Sequence, residues 1–291
     1  MIPIKQKLVA YSQLIRLHKP IGIFLLLWPT LWAILLASEG SPDIVVLIVF
    51  VLGVILMRSA GCAINDFADR DIDGSVERTK SRPIVAGTVT PFEAILIFVS
   101  LSVIAFCLVI FFLNELTLLF SLVAVVLATS YPFTKRYHYL PQVHLGIAFA
   151  WSVPMAFVAI TNDYPPTWGW LLFITTVIWT TAYDTMYGMV DRKDDVKIGV
   201  KSTAILFGSA DRLIIGVLQI FVLLSLLAIG TQTELRYWYF ASLGLVCLFF
   251  LYQQILIYSR KPQDCFYAFL NNNYVGLIVF LGIAASYWLP I

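Results

Sequence analysis

The stretch DIVVLIVFVLGVILMRSAGCAINDFADRDID, residues 43–73, decides how this chain folds. From Ile44 to Ile64 it is apolar apart from Arg58 and a few small residues. A helix of that length, rising about 1.5 Å per residue, crosses a bilayer core. Its end then carries four aspartates, Asp66, Asp69, Asp71 and Asp73. A membrane helix that runs straight into clustered carboxylates implies both a bilayer and a partner for the charge.

The rest of the chain is built the same way. Its 291 residues are 60% hydrophobic and only 12% charged, about half the charged share of a soluble domain. A water-facing surface needs more polar cover than that. Nine predominantly apolar stretches are expected to span, at about 20–38, 43–64, 91–113, 115–132, 141–161, 166–188, 212–230, 237–258 and 270–289. The expected fold class is therefore all-α, a polytopic membrane bundle forming one domain over residues 1–291. Pro29 and Pro154 fall inside spans and predict kinks. The opening MIPIKQKLVAYSQLIRLHKPIG lacks the compact apolar run and cleavage site of a signal peptide. Its Leu8, Tyr11, Leu14 and Ile15 share one side, with Lys5, Lys7 and Arg16 among the polar positions, which predicts a helix lying in the membrane interface.

Basic residues orient the spans. With the N-terminus inside, Lys5, Lys7, Arg16 and Lys19, then Arg70, Arg78, Lys80 and Arg82, then Lys135 and Arg136, then Arg192, Lys193, Lys197, Lys201 and Arg212, then Arg260 and Lys261 all fall on one side. Arg236 alone falls on the other. The positive-inside rule places the N-terminus and the chemistry in the cytoplasm, and the C-terminus outside. A net charge of +2 gives no field that would attract nucleic acid. Cys62, Cys107, Cys247 and Cys265 stand singly, and His18, His138 and His144 lack ligand spacing. Neither set reads as a disulfide framework or a metal site.

Eight of the twelve aspartates fall in two segments: Asp66, Asp69, Asp71 and Asp73, then Asp184, Asp191, Asp194 and Asp195. Asn65, Asp69 and Asp73 are spaced four apart, as are Tyr187, Asp191 and Asp195, so each trio is expected to stack on one helical face. Gly74 and Gly199 are the expected helix stops. Asp66 and Asp194 flank those faces, whereas Asp71 points away. Carboxylates at a helix C-terminus repel one another and the dipole, and a divalent cation reverses that penalty. Magnesium takes one or two carboxylates and completes its shell with water and phosphate oxygens. The basic residues on the same side, Arg78, Lys80, Arg82, Lys135, Arg136, Lys193, Lys197 and Lys201, suit the accompanying anion. Solvated acidic loops are the bland alternative, and the repetition of one pattern at two helix ends argues against it.

NDFADRDID at 65–73 and YGMVDRKDD at 187–195 resemble the motifs of the UbiA superfamily of intramembrane prenyltransferases. RLHKPIG at 16–22, RSAGCAINDFADRDIDGSVERTKSRP at 58–83, YPFTKR at 131–136 and DTMYGMVDRKDDVKIGVKSTA at 184–204 are most similar to its branch acting on 4-hydroxybenzoate. The resemblance implies nine helices around a central cavity and transfer of a polyprenyl chain from polyprenyl diphosphate to the ring carbon ortho to the hydroxyl of 4-hydroxybenzoate. That reaction belongs to ubiquinone biosynthesis in a bacterial inner membrane. It implies Mg2+ held by Asn65, Asp66, Asp69, Asp73, Asp191 and Asp195, with Asp69, Asp73, Asp191 and Asp195 catalytic. It places Asn65, Tyr131, Lys135 and Tyr187 at the diphosphate, with Arg78, Lys80, Arg82 and Arg136 as further candidates, and Arg58 near the aromatic acceptor. Phe24, Trp28, Trp32 and Phe133 are candidates for stabilising an allylic cation.

Other acceptors of the same superfamily, a naphthoate or a haem or chlorophyll precursor, stay open. An ion-coupled transporter fits less well, because its acidic ligands normally lie near the bilayer midplane on broken helices. A nucleotide-dependent phosphotransferase would gather its aspartates around one motif. Chelation is expected to abolish activity and magnesium to restore it, and Asp69→Ala and Asp191→Ala to lose activity while the protein stays in the membrane. Wild-type turnover by either variant in a membrane-based prenyl-transfer assay contradicts a two-cluster site.

Overall fold

The computed structural model describes residues 3–75 and 78–290. Every regular element among them is helical: α1 (Ile4–Leu14), α2 (Ile21–Ala37), α3 (Ile44–Asp69), α4 (Pro91–Phe112), α5 (Glu115–Ser130), α6 (Pro141–Ala150), α7 (Ser152–Thr161), α8 (Thr167–Ile198), α9 (Thr203–Phe207), α10 (Asp211–Gln232), α11 (Tyr237–Leu256) and α12 (Pro262–Trp288). Short 3-10 turns join several of them. Seven segments are long and apolar enough to cross a bilayer. Of the other expected spans, α2 has 17 residues, and α8 runs 32 residues with a charged last third. The protein is an integral membrane protein.

Local chemistry sets the ends. Thr90 and Glu93 form a reciprocal cap on α4, with Pro91 as its first residue. Asn114 caps α5 through Thr117 N–H at 2.8 Å, and its amide donates to the Val158 carbonyl at 2.7 Å, tying that turn to α7. The expected kink at Pro154 is a break: α6 and α7 part at Trp151, because proline lacks an N–H for the residue 150 carbonyl and its ring crowds it. Pro29 leaves α2 continuous.

The core lies between α2, α7, α8, α10, α11 and α12, around Trp32, Trp179, Tyr183 and Tyr239. Three successive asparagines on α12 reach three neighbours. Asn271 accepts from Gln253 on α11 at 2.9 Å, Asn272 from the Trp179 indole on α8 at 2.9 Å, and Asn273 from the Trp28 indole on α2 at 2.8 Å. Side-chain hydrogen bonds supply adhesion that hydrophobicity cannot provide between helices in lipid. Leucines, valines and isoleucines of α4, α5, α10 and α11 point outward instead. All the basic connections gather at one end, where Lys7 meets Glu93, Arg16 meets Asp66, and Arg192 and Arg260 converge on Asp211. Arg236 lies at the other end, donating to the Leu289 carbonyl. Asn272→Leu is expected to lower stability by about 1–2 kcal/mol; an unchanged unfolding midpoint in detergent contradicts the clamp.

Candidate active site

The sequence expectation for α3 needs one correction. The helix ends at Asp69 rather than running to Gly74. Three-residue bonds then take over, Ile72 N–H to the Asp69 carbonyl at 2.8 Å and Ser75 N–H to Ile72 at 2.9 Å, and Asp73 opens a 3-10 turn. Negative charge on Asp69, Asp71 and Asp73 opposes the helix dipole, and tighter turns commonly use up the last carbonyls. Asp73 is nevertheless buried and faces inward, while the Asp71 side chain is 73% exposed. On α8 the expectation holds: the helix continues to a left-handed Gly199, with φ of 73°.

Asn65, Asp69 and Asp73 line a polar chamber of about 150 Å³ together with Asp191 and Asp195 from α8. Tyr131, Tyr187, Arg78, Arg82 and Lys135 complete it. A base from a distant segment answers most of these carboxylates. Arg78 grips Asp191 with Nε at 3.0 Å and Nη2 at 2.5 Å, and lies 4.8 Å over the Tyr187 ring. Arg82 Nη1 sits 2.6 Å from Asp73 and 3.1 Å from Asp66. Lys135 pairs with Asp69, whose same oxygen accepts from Asn65 at 3.2 Å. The other oxygen of Asp69 is buried with no hydrogen-bond partner among the described residues.

Tyr131 and Lys135 owe their places to the 3-10 turn Tyr131–Arg136, pinned from outside by Lys201 N–H to the Lys135 carbonyl at 3.1 Å. Asp66 differs from the other named ligands. It lines the larger cavity and is held by Arg16 at 2.6 Å as well as Arg82. Asp194 turns outward to Lys197 at 3.1 Å. Lys80 is exposed and lines neither cavity. Arg136 also lies off both; it donates to the Ala68 carbonyl, closing the C-terminal end of α3. The four aromatic candidates fall away too. Trp28 and Trp32 bond to α12, Phe24 stacks on Trp28, and Phe133 lies beside Arg136. The rings that do line the larger cavity include Phe50, Phe106, Phe149, Trp151 and Phe269.

That larger cavity, about 620 Å³, joins the chamber at Asn65, Arg78, Arg82, Tyr131, Asp184 and Tyr187. It continues down α3 through Gly61, Arg58, Met57, Val54, Gly53 and Phe50, and along α4 past Ser102, Ala105, Phe106 and Val109. Arg58 sits at its upper part, with Nη1 2.6 Å from the Cys62 sulfur and Nε buried without a partner among the described residues. Gly22 makes room for it, since a Cβ there would stand 2.4 Å from Nε. Two site residues escaped the sequence reading. Arg16 is a surface-type residue before span 1 whose left-handed turn, φ of 57°, carries it to Asp66. Asp184 lies one turn below Tyr187 within the apolar length of α8, and that intramembrane depth was the signal.

Comparison with known proteins identifies the arrangement. Residues 26–281 match the UbiA prenyltransferase family. The chain belongs to that family. It is 57% identical to the 4-hydroxybenzoate octaprenyltransferase of Saccharophagus degradans over 281 residues, covering 97% of this chain and 93% of that one. It is 55% identical to the enzyme of the same name from Aliivibrio fischeri, covering 96% and 98%. The solved apo structure of a UbiA homolog from Aeropyrum pernix superposes with a TM-score of 0.79 at 27% identity, covering 90% of this chain and 96% of that one. A UbiA homolog from Archaeoglobus fulgidus, bound to GPP and Mg2+, shares the fold at a TM-score of 0.74 and 20% identity, covering 95% and 98%. As a prenyltransferase, this family member should tell Asp71 from Asp73. Asp71→Asn is expected to keep most activity and Asp73→Asn to lose most of it, and equal losses in a turnover assay contradict the inward placement of Asp73.

Proposed function

We propose that this enzyme transfers a polyprenyl chain from polyprenyl diphosphate to 4-hydroxybenzoate, at the carbon ortho to the hydroxyl, releasing diphosphate in a step of ubiquinone biosynthesis. One observation carries this reading: a polar chamber walled by alternating carboxylates and guanidinium or ammonium groups opens directly into a long apolar cavity. An allylic diphosphate has the same two parts. The names of the bacterial relatives supply the acceptor. They also support a bacterial inner membrane, with the basic end in the cytoplasm.

The chamber suits Mg2+. Among the described residues no three acidic, histidine or cysteine side chains close into a cage, and magnesium does not need one, because it takes few carboxylates and relies on phosphate oxygens. Asp69, with an oxygen left unbonded, and Asp73, Asp191 and Asp195 would hold it, with Asn65 beside them. Bound there, magnesium draws charge from the diphosphate and eases breakage of the bond to the allylic carbon.

The chain's own residues do the rest. Arg78, Arg82 and Lys135 stand within the chamber to receive diphosphate oxygens, and Tyr131 and Tyr187 wall the junction. Phe149 and Phe269 line the path of the cation, and their faces favour positive charge. Burial in the bundle keeps water away from that cation, which would otherwise end as an alcohol. Arg58 is seven residues before Asn65, about two turns or roughly 10 Å below the chamber, where it would grip the acceptor carboxylate. Arg58→Leu is expected to weaken use of 4-hydroxybenzoate about tenfold to a hundredfold, with prenyl diphosphate affinity largely kept. Separate titration of the two substrates tests this; loss confined to prenyl diphosphate assigns Arg58 to the diphosphate instead.

A further inference from the structure

The two walls of the site carry one spacing. On α3, Arg58, Asn65 and Asp69 are separated by seven and then four residues; on α8, Asp184, Asp191 and Asp195 are separated likewise. Asn65 and Asp69 meet Asp191 and Asp195 in the polar chamber. Arg58 and Asp184 therefore form a second layer, each about two turns or roughly 10 Å deeper, and both line the larger cavity.

This layer is electrically incomplete. Arg58 has a buried Nε without a partner among the described residues. The Asp184 carboxylate makes no hydrogen bond or ion pair among them, and Tyr131 and Phe149 flank the space. Opposite charges at membrane depth that face one cavity without closing on each other are costly. A ligand with an anion at one end and a hydrogen-bond donor at the other completes both.

We propose that Asp184 is a catalytic base that accepts the hydroxyl proton of the aromatic acceptor while Arg58 holds its carboxylate; this rests on the acceptor being a 4-hydroxybenzoate. The two groups project from opposite ends of such a ring, which suits a cation on one wall and a carboxylate on the other. The ring edge ortho to the hydroxyl then lies below the chamber. As the allylic C1–O bond breaks, with its electron pair going to diphosphate, the hydroxyl proton passes to Asp184. The ortho carbon, made electron-rich, bonds to C1 and gives a dienone. The proton on that carbon leaves to a diphosphate oxygen, and Asp184 returns its own proton to the ring oxygen. Product and protonated diphosphate result, with Asp184 restored.

The test compares wild type and Asp184→Asn, purified with magnesium and prenyl diphosphate, using 4-hydroxybenzoate as substrate and 4-chlorobenzoate as inhibitor. The variant is expected to lose about a hundredfold or more in kcat/KM for 4-hydroxybenzoate, while binding prenyl diphosphate as before. It is expected to bind 4-chlorobenzoate like wild type, because that ligand keeps the carboxylate and lacks the hydroxyl. Asp184→Glu should recover part of the turnover. Wild-type turnover by Asp184→Asn overturns the assignment. So does an equal loss of 4-chlorobenzoate affinity, which would make Asp184 a support for Arg58, and so does a variant that no longer binds prenyl diphosphate, which would make it structural. Failure of the wild type itself to prenylate 4-hydroxybenzoate overturns the functional reading, and this assignment with it.

Discussion

Carboxylates stand at the C-terminal ends of two membrane helices, where the helix dipole is already negative, and the basic end of the structure is arranged around them. Four of them are met by bases from other segments of the chain: Arg16 and Arg82 to Asp66, Lys135 to Asp69, Arg82 to Asp73, and Arg78 to Asp191. These pairings fix the connections after α1, α3 and α5 against one another and against α8. A loop that would otherwise be held only by solvent becomes a wall of the site. In the proposed reaction the same bases that neutralise the chamber would receive the diphosphate, so the polar end is arranged for an anion in advance.

The bundle beneath is unevenly packed, and the unevenness has a purpose. Large side chains fill the half made by α2, α8 and α12, where Trp32 and Trp179 approach to 5.2 Å between ring centres and the asparagine triplet of α12 fastens its neighbours. The half made by α3, α4 and α5 presents Gly53, Gly61, Ala105, Ala124 and Ala128 to the cavity instead. Small residues at those faces leave space that the protein does not fill. Interiors normally close such voids, and in the proposed reaction the volume kept open next to the charged chamber would hold the apolar part of the substrate. The packed half holds α8 and its aspartates in position, while the half around the cavity would receive the prenyl chain of the proposed substrate.

Composition and periodicity carried the architecture a long way. The expected span boundaries fall on helices, and the four-residue spacing of Tyr187, Asp191 and Asp195 gave a true helical face because α8 continues to Gly199. The same spacing on α3 misled in detail. Asn65 and Asp69 are helical, but Asp73 comes inward through a 3-10 turn whose burial depends on Arg82, nine residues later, and on the Thr79 hydroxyl reaching the Asp73 carbonyl at 2.8 Å. Aromatic residues could not be sorted by type. Trp28 and Trp32 are candidate cation partners by residue type, yet their indoles donate to α12.

What the sequence determined by itself was whatever repeats locally: apolar length, the side on which basic residues lie, and which carboxylates share a helix. Those follow from backbone geometry and the bilayer alone. Only the tertiary structure decided which base meets which acid, that Lys80 and Arg136 stand outside the cavities while Arg16 and Asp184 line them, and that Arg58 and Asp184 line one cavity. Such partnerships join residues from nine to more than a hundred positions apart. They depend on how helices pack around small side chains, and no spacing along the chain encodes that.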